Sequence, residues 1–297
     1  MAAVADIEDA PASSVHSSTS APWAIAASAR TDIPGCYMPM MMKWLRQGFV
    51  DVPNPMFQQS VTRVMLNNVQ LIAWWSKNYG PWIREFERKE ALRNFTHYFN
   101  FTINSESTVE SRLTVGLEER LLQLRYLVQT FGVDAVNLRF DPIVHWTRTS
   151  DGENEDNLSD FDEIVEIASS FGVKEVSFSF CSPHRKTLRL MLRRGKILRQ
   201  LSLPQQKEVL DSKVIPVCNR FGVTLRACCS SLLVGHNGVV ASSCVDPAKV
   251  GRLMPKLPSR ARGGLQKECA CLKVRDIGSY SMKCPHSCDY CYANPKE

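Results

Sequence analysis

Short apolar, β-branched or aromatic runs alternate with longer amphipathic runs along most of the chain, a rhythm that predicts βα units assembled into a parallel sheet. The short runs place strands at residues 23–28, 71–75, 98–103, 136–140, 176–180 and 224–228. The longer runs place helices at 38–46, 81–91, 117–131, 158–171 and 204–221. Three helical runs close on the same tripeptide, Phe131-Gly132-Val133, Phe171-Gly172-Val173 and Phe221-Gly222-Val223. Glycine there stops a helix before the next strand begins. This punctuation predicts an α/β chain built as a TIM-like (β/α) barrel over 22–254, or as a partial six-stranded barrel, while propeller and solenoid periods are absent.

Three segments depart from that rhythm. Residues 49–66 hold Pro53, Asn54 and Pro55 between two short extended runs and read as a hairpin insertion. Residues 1–21 are rich in Ala and Ser and read as a disordered tail. Residues 255–268, with Pro255, Pro258, Gly263, Gly264 and several basic side chains, read as a linker to a cysteine-rich segment that ends at 297. That segment is too small for its own apolar core and needs metal or the barrel for order.

Composition bounds the function. Hydrophobic content of 44% and charged content of 22% are ordinary for a globular protein, and no apolar run has the length of a membrane span. The net charge of +6 permits an anionic ligand without requiring nucleic acid. Eleven cysteines are an odd number, no secretory signal precedes them, and Asp6, Glu8 and Asp9 come before the first basic residue, Arg30. An intracellular and cytoplasmic protein with reduced thiols is therefore expected, an organelle remaining the alternative, and no membrane partner.

Polar residues cluster where the predicted strands end, at the face where a parallel barrel builds its active site. They are Arg30-Thr31-Asp32, Ser76-Lys77-Asn78, Asn104, Arg139 with Asp141-Pro142, Cys181-Ser182-Pro183-His184 and Cys228-Cys229. Singly each reads as a turn or cap. Together they read as a pocket rim in which Arg30, Asp32, Lys77, Arg139 and Asp141 grip an unknown substrate, because such charges are costly there unless paired with each other or with a ligand. The stretch 184–199 is basic, with Arg185, Lys186, Arg189, Arg193, Arg194, Lys196 and Arg199 and no acid. Nucleic-acid binding is one reading; the solvated face of a helix whose apolar stripe is Leu188, Met191, Leu192 and Leu198 is the other.

The sharpest chemical signal is Cys284, Cys288 and Cys291 in the spacing C-x3-C-x2-C. Three thiolates on one short loop can hold three irons of a [4Fe-4S] cluster and leave the fourth iron open for chemistry. A structural zinc site is the alternative, for which His286 offers a nitrogen. Cys269 and Cys271 lie just upstream.

The runs Ser28-Ala29-Arg30-Thr31-Asp32-Ile33-Pro34, Trp75-Ser76-Lys77-Asn78, Arg139-Phe140-Asp141-Pro142-Ile143 and Arg275-Asp276-Ile277-Gly278, with the closing Cys291-Tyr292-Ala293-Asn294, resemble the domain-of-unknown-function family 1848 over nearly the whole chain after the tail. The cysteine cluster of that family is similar to the cluster loop of radical S-adenosylmethionine enzymes, particularly the spore photoproduct lyase-like group, which carry an aromatic before the last cysteine as Tyr290 stands here. The resemblance implies an iron-sulfur protein using S-adenosylmethionine and an electron donor, with Tyr290 flanking the adenine. It also implies a second, auxiliary cluster on Cys228, Cys244, Cys269 and Cys271. Two features depart from such enzymes: the cluster loop closes the chain instead of following the first strand, and no glycine-rich cofactor motif is evident. Cys36, Cys181, Cys218 and Cys229 read as ordinary buried thiols.

Overall fold

The computed structural model describes residues 16–57, 59–254, 256 and 270–293. Its centre is an eight-stranded sheet, β1 (Ala24–Ala27), β2 (Leu71–Ser76), β3 (Thr96–Thr102), β4 (Val136–Ile143), β5 (Glu175–Phe180), β6 (Thr224–Ala227), β7 (Val240–Ala241) and β8 (Arg275–Asp276). Every neighbouring pair is parallel, in the spatial order β8-β1-β2-β3-β4-β5-β6-β7. The six predicted strands are the six central ones. The expected barrel, closed or partial with six strands, is corrected in one respect: the sheet is open, with β7 and β8 as its edges. Each edge is only two residues long, too short to build a ladder across the remaining gap.

The helices are α1 (Ile33–Cys36), α2 (Met38–Gln47), α3 (Gly80–Arg88), α4 (Leu117–Phe131), α5 (Phe161–Ser170), α6 (Arg185–Arg193), α7 (Leu203–Val209), α8 (Ile215–Arg220) and α9 (Pro247–Leu253). The predicted helix 204–221 is interrupted by a π-turn, Leu210–Val214, where the Ile215 N–H reaches back to the Leu210 carbonyl just ahead of Pro216. The glycines of the three Phe-Gly-Val sites have φ of 83°, 92° and 62°, the left-handed region that ends a helix at little cost only for glycine.

Right-handed crossovers between sequential parallel strands put helices on one face of a sheet. On that face Ile25, Ile72, Trp74, Phe99, Phe101, Leu138, Phe140, Val176 and Phe178 form one buried core with helix residues such as Met41, Trp82, Leu124 and Ile164. Period-two alternation sends the intervening side chains the other way. That opposite face has an apolar floor of Ala24, Leu71, Ala73, Tyr98, Val245, Val250 and Leu272. It also carries a polar ladder, in which Asn137 donates to Asn100 at 2.8 Å, Ser177 to Asn137 at 3.0 Å, and Ser177 and Ser242 share a bond of 2.7 Å.

The hairpin insertion is present as antiparallel strands Phe49–Pro53 and Val61–Met65. His16–Ser20, within the expected disordered tail, adds to it in parallel, which corrects that expectation for these residues. Residues 1–15 and nearly all of the expected linker lie outside the described residues. The sequence did not announce the small antiparallel sheet of His145–Arg148, Asn154–Asp156 and Lys196–Leu198. Among the described residues no helix is long and apolar enough to cross a membrane.

Where β8 leaves the sheet, Gly278 lies against Ser28: a β-carbon there would stand 2.0 Å from the Ser28 hydroxyl oxygen. Gly278→Ala is therefore expected to cost about 1–3 kcal/mol by overpacking. A thermal unfolding scan should show a midpoint several degrees lower, with faster proteolysis of the C-terminal segment; an unchanged midpoint would contradict this packing.

Candidate metal and ligand site

The pairing of β8 with β1 carries the cysteine loop to the end of the sheet where β1 and β2 finish. Parallel register sets Arg275 beside Ile25 and Asp276 beside Ala26. Two turns then coil the loop, with the Ser287 N–H on the Cys284 carbonyl at 3.3 Å and the Cys291 N–H on the Cys288 carbonyl at 3.1 Å. Cys288 and Tyr290 are buried with Val109, Val144, Trp146, Met191 and Leu198, and Leu188, Cys181 and Cys291 pack against them. The apolar stripe of the basic stretch thus faces the cysteine loop, although Leu192 is exposed.

Part of the basic charge holds the same loop. Arg194 and Lys196 both pair with the buried Asp289 carboxylate, Lys196 at 3.0 Å, and Arg194 donates to the Ser287 carbonyl and hydroxyl at 2.7 and 2.9 Å. Lys186 donates to the Ala293 carbonyl. Arg185 and Arg189 are exposed.

The five charged residues expected to grip substrate have protein partners. Arg30 donates to the Gly278 carbonyl at 3.0 Å and stands 4.0 Å from Asp276, so it anchors the C-terminal segment. Asp32 is buried as the N-cap of α1, accepting from the Gly35 N–H at 2.7 Å, the Ser76 hydroxyl at 2.7 Å and the Lys77 N–H at 3.0 Å, with the His286 ring at 3.1 Å. Lys77 pairs with Glu110 at 2.9 Å and lies 5.6 Å from the centre of the Tyr290 ring. Arg139 pairs with Asp141, whose carboxylate also accepts from Ser179 and whose backbone N–H donates to the Asn104 side-chain oxygen at 2.9 Å.

Glu110 and Asn104 join Lys77 to the loop: Asn104 donates to Glu110 at 2.7 Å and to the Tyr290 hydroxyl at 3.0 Å, and Tyr290 donates to Glu110. Burial opposes the Glu110 charge, but Lys77, Tyr290 and Asn104 outweigh it and hold the carboxyl below its ordinary value of 4.5. Its second oxygen, Oε2, is buried with no hydrogen-bond partner among the described residues. Burial likewise opposes the Asp141 charge, and Arg139 and Ser179 prevail, keeping it ionised. Nothing in the run Ser107-Thr108-Val109-Glu110 marks Glu110 as a site residue, since only the fold brings it to Lys77.

The thiols fall into two groups. Cys36, Cys284 and His286 place their donor atoms within 4.8 Å of one another and could hold one metal ion. Cys36, read as an ordinary buried thiol, is half-buried and stands within this group. Its Sγ lies 3.8 Å from His286 Nε2, and its neighbouring thiol lowers the Cys284 pKa to about 7, whereas burial raises Cys288 and Cys291. The second group joins Cys228 and Cys244, 3.5 Å apart, with Cys271, whose sulfur accepts the Cys244 N–H at 3.0 Å. Cys269 lies outside the described residues. Cys218 is buried in the core, as expected. Cys229, also read as a buried thiol, is exposed.

The depressed Glu110 pKa gives a pH dependence of definite sign. The unfolded chain binds the proton near 4.5 and the folded chain does not, so this stabilisation is complete above 4.5 and is lost as pH falls through the lower folded value. Glu110→Gln should cost about 3 kcal/mol at neutral pH by leaving Lys77 unpaired. The variant should also lose less stability than the parent as pH falls below that value, as read by urea unfolding at a series of pH values.

No match to the chain was found among curated proteins. A family model described as a domain of unknown function, DUF1848, matches residues 24–293, from the first strand of the sheet to the end of the cysteine loop. The span takes in both thiol groups and the charged network between them, and the chain belongs to the DUF1848 family.

Proposed function

We propose that the chain is an iron-sulfur enzyme of the radical S-adenosylmethionine type, with a [4Fe-4S] cluster on Cys284, Cys288 and Cys291. The observation that carries the reading is the placement of this loop: β8 lies parallel to β1, so the segment enters beside the first strand, with Cys284 near Cys36, and runs on to Cys288 and Cys291 among residues that follow β3, β4 and β5. The donor set fits, being three soft thiols on eight residues of chain that hold no other acid than Asp289, which Arg194 and Lys196 occupy. When bound, a cluster with one open iron supplies one-electron cleavage of S-adenosylmethionine, delivered by an electron donor.

This chain's own residues supply orientation and a dry wall. Lys77 and Glu110 fix the Tyr290 ring over the mouth, and the apolar cluster around Cys288 excludes water from the thiol side. The orphaned Glu110 oxygen is an acceptor for a donor group of a bound ligand. Asp141, ionised beside Arg139, holds the next position along the mouth. The open sheet end, floored by the Asn100, Asn137, Ser177 and Ser242 ladder, is the substrate region.

One observation favours a second reading, a single zinc-type ion on Cys36, Cys284 and His286, whose donor atoms already converge. Anaerobic purification decides between them. The iron-sulfur reading expects a brown protein with about four irons and four sulfides at the loop. It also expects Cys288→Ala to abolish that colour and S-adenosylmethionine cleavage, and Cys36→Ala to retain both. A colourless protein whose loop metal is zinc and disappears in Cys36→Ala would replace it by the second reading.

A further inference from the structure

The loop that carries Cys284, Cys288 and Cys291 is covered on one side by α6, whose two faces differ in kind. The inner face grips the loop: the Thr187 hydroxyl donates to the Tyr290 carbonyl at 3.3 Å, and Leu188 and Met191 belong to the apolar cluster that encloses Cys288. The outer face repeats at helical spacing, with Arg185, Arg189 and Leu192 at i, i+4 and i+7 and Arg193 beside Leu192, and all four are exposed. Leu192 is 60% exposed, and past the turn in which the Gly195 N–H meets the Leu192 carbonyl at 3.1 Å, Ile197 is 51% exposed. No acid occurs from 184 to 199, and in the adjoining hairpin Arg148 holds Asp151 at 2.9 Å and Glu155 at 3.3 Å.

We infer that this outer face is the docking surface for a small acidic one-electron carrier protein, of the iron-sulfur or flavin type, which reduces the cluster proposed for the loop; the assignment rests on that reading of the loop. Charge selects an acidic partner, because Arg185, Arg189 and Arg193 stand together on one exposed face and steer a negative surface toward it. Apolar Leu192 and Ile197 within that basic surround have the anatomy of a protein interface, an apolar centre with a charged rim. Single-stranded nucleic acid is held by stacking on aromatic side chains, and 184–199 contains no Phe, Tyr or Trp. Distance agrees as well. A helix with its side chains is about 10 Å across, so a carrier on the outer face stands roughly that far from Cys288 and Tyr290, with Leu188 and Met191 between. The reduced carrier gives up one electron, the metal centre gains it, and the carrier leaves oxidised; no bond is made or broken. One face of one helix suits the small, short-lived interfaces of such encounters.

Full-length protein, purified anaerobically, is mixed with a reduced acidic [2Fe-2S] ferredoxin. Binding is measured by titration calorimetry at a series of salt concentrations, and reduction of the protein is followed by the loss of its visible absorption. Affinity and reduction rate should both fall about tenfold as salt rises from low to physiological strength, because the attraction is between exposed charges. In the double variant Arg185→Glu with Arg189→Glu both should fall at least about tenfold at low salt, and Arg185→Lys with Arg189→Lys should keep them near the parent values. Iron content, thermal midpoint and reduction by dithionite, which needs no docking, should be the same in all three. Leu192→Ser should weaken binding with little change in its salt dependence. Protein devoid of iron and sulfide would sink the cluster reading and the carrier with it. Iron-loaded protein that ferredoxin binds and reduces equally well before and after charge reversal would sink the surface alone. Salt-dependent binding of a single-stranded oligonucleotide that the reversal abolishes, with no binding of ferredoxin, would overturn the choice of a protein partner.

Discussion

The buried Asp276 carboxylate takes bonds of 2.8 Å from the Ser28 hydroxyl, the Ala29 N–H and the Gly278 N–H, and faces Arg30 at 4.0 Å. Burial raises its pKa despite those partners, so the carboxylate is held by dense hydrogen bonding in a place that disfavours charge. Everything said of the cysteine loop depends on this contact. It fixes β8 in parallel register on β1, and only then do His286 reach Asp32, Tyr290 reach Glu110, and Tyr292 reach the Ala29 carbonyl at 3.0 Å. A two-residue strand could not be placed by its backbone bonds alone, and the carboxylate supplies the missing specificity.

From that anchor the mouth of the sheet is organised by charge pairing more than by open polar groups. Lys77 with Glu110 and Arg139 with Asp141 are buried or nearly so. Removing one member of such a pair costs more than the pair contributes, because the partner is left charged and desolvated. The pairs therefore preorganise the mouth, and a ligand would meet fixed charges that need no rearrangement. The polar ladder beneath them follows from strand alternation: Val136, Leu138 and Phe140 face the helices, so Asn137 and Arg139 must face the mouth.

The two thiol groups lie at different places on the sheet. One rides on a loop stitched over the sheet end. The other lies where β7 and β8 fail to meet. Arg139 stands between them, paired with Asp141 on the mouth side and against Cys228 and Cys244 on the other. A single guanidinium thus touches both the mouth and the second thiol group.

The sequence by itself determined the parallel sheet, because period and punctuation are local. Short β-branched and aromatic runs form strands, and a glycine after each Phe can adopt the positive φ that ends a helix. It also marked the candidate site, since Cys284, Cys288 and Cys291 announce themselves by spacing, and Arg139 and Asp141 by their place near a strand end. The tertiary structure alone decided which of these meet. Cys36 joined Cys284 across 248 residues of sequence, Glu110 joined Lys77, and Arg30 and Asp32 met Gly278 and His286 of the C-terminal segment. The openness of the sheet was also beyond local reading, because closure depends on whether two edge strands are long enough to pair, and β7 and β8 are two residues each. Spacing along a chain fixes only contacts made within a turn or a strand; contacts between distant segments are set by the packing that brings those segments together.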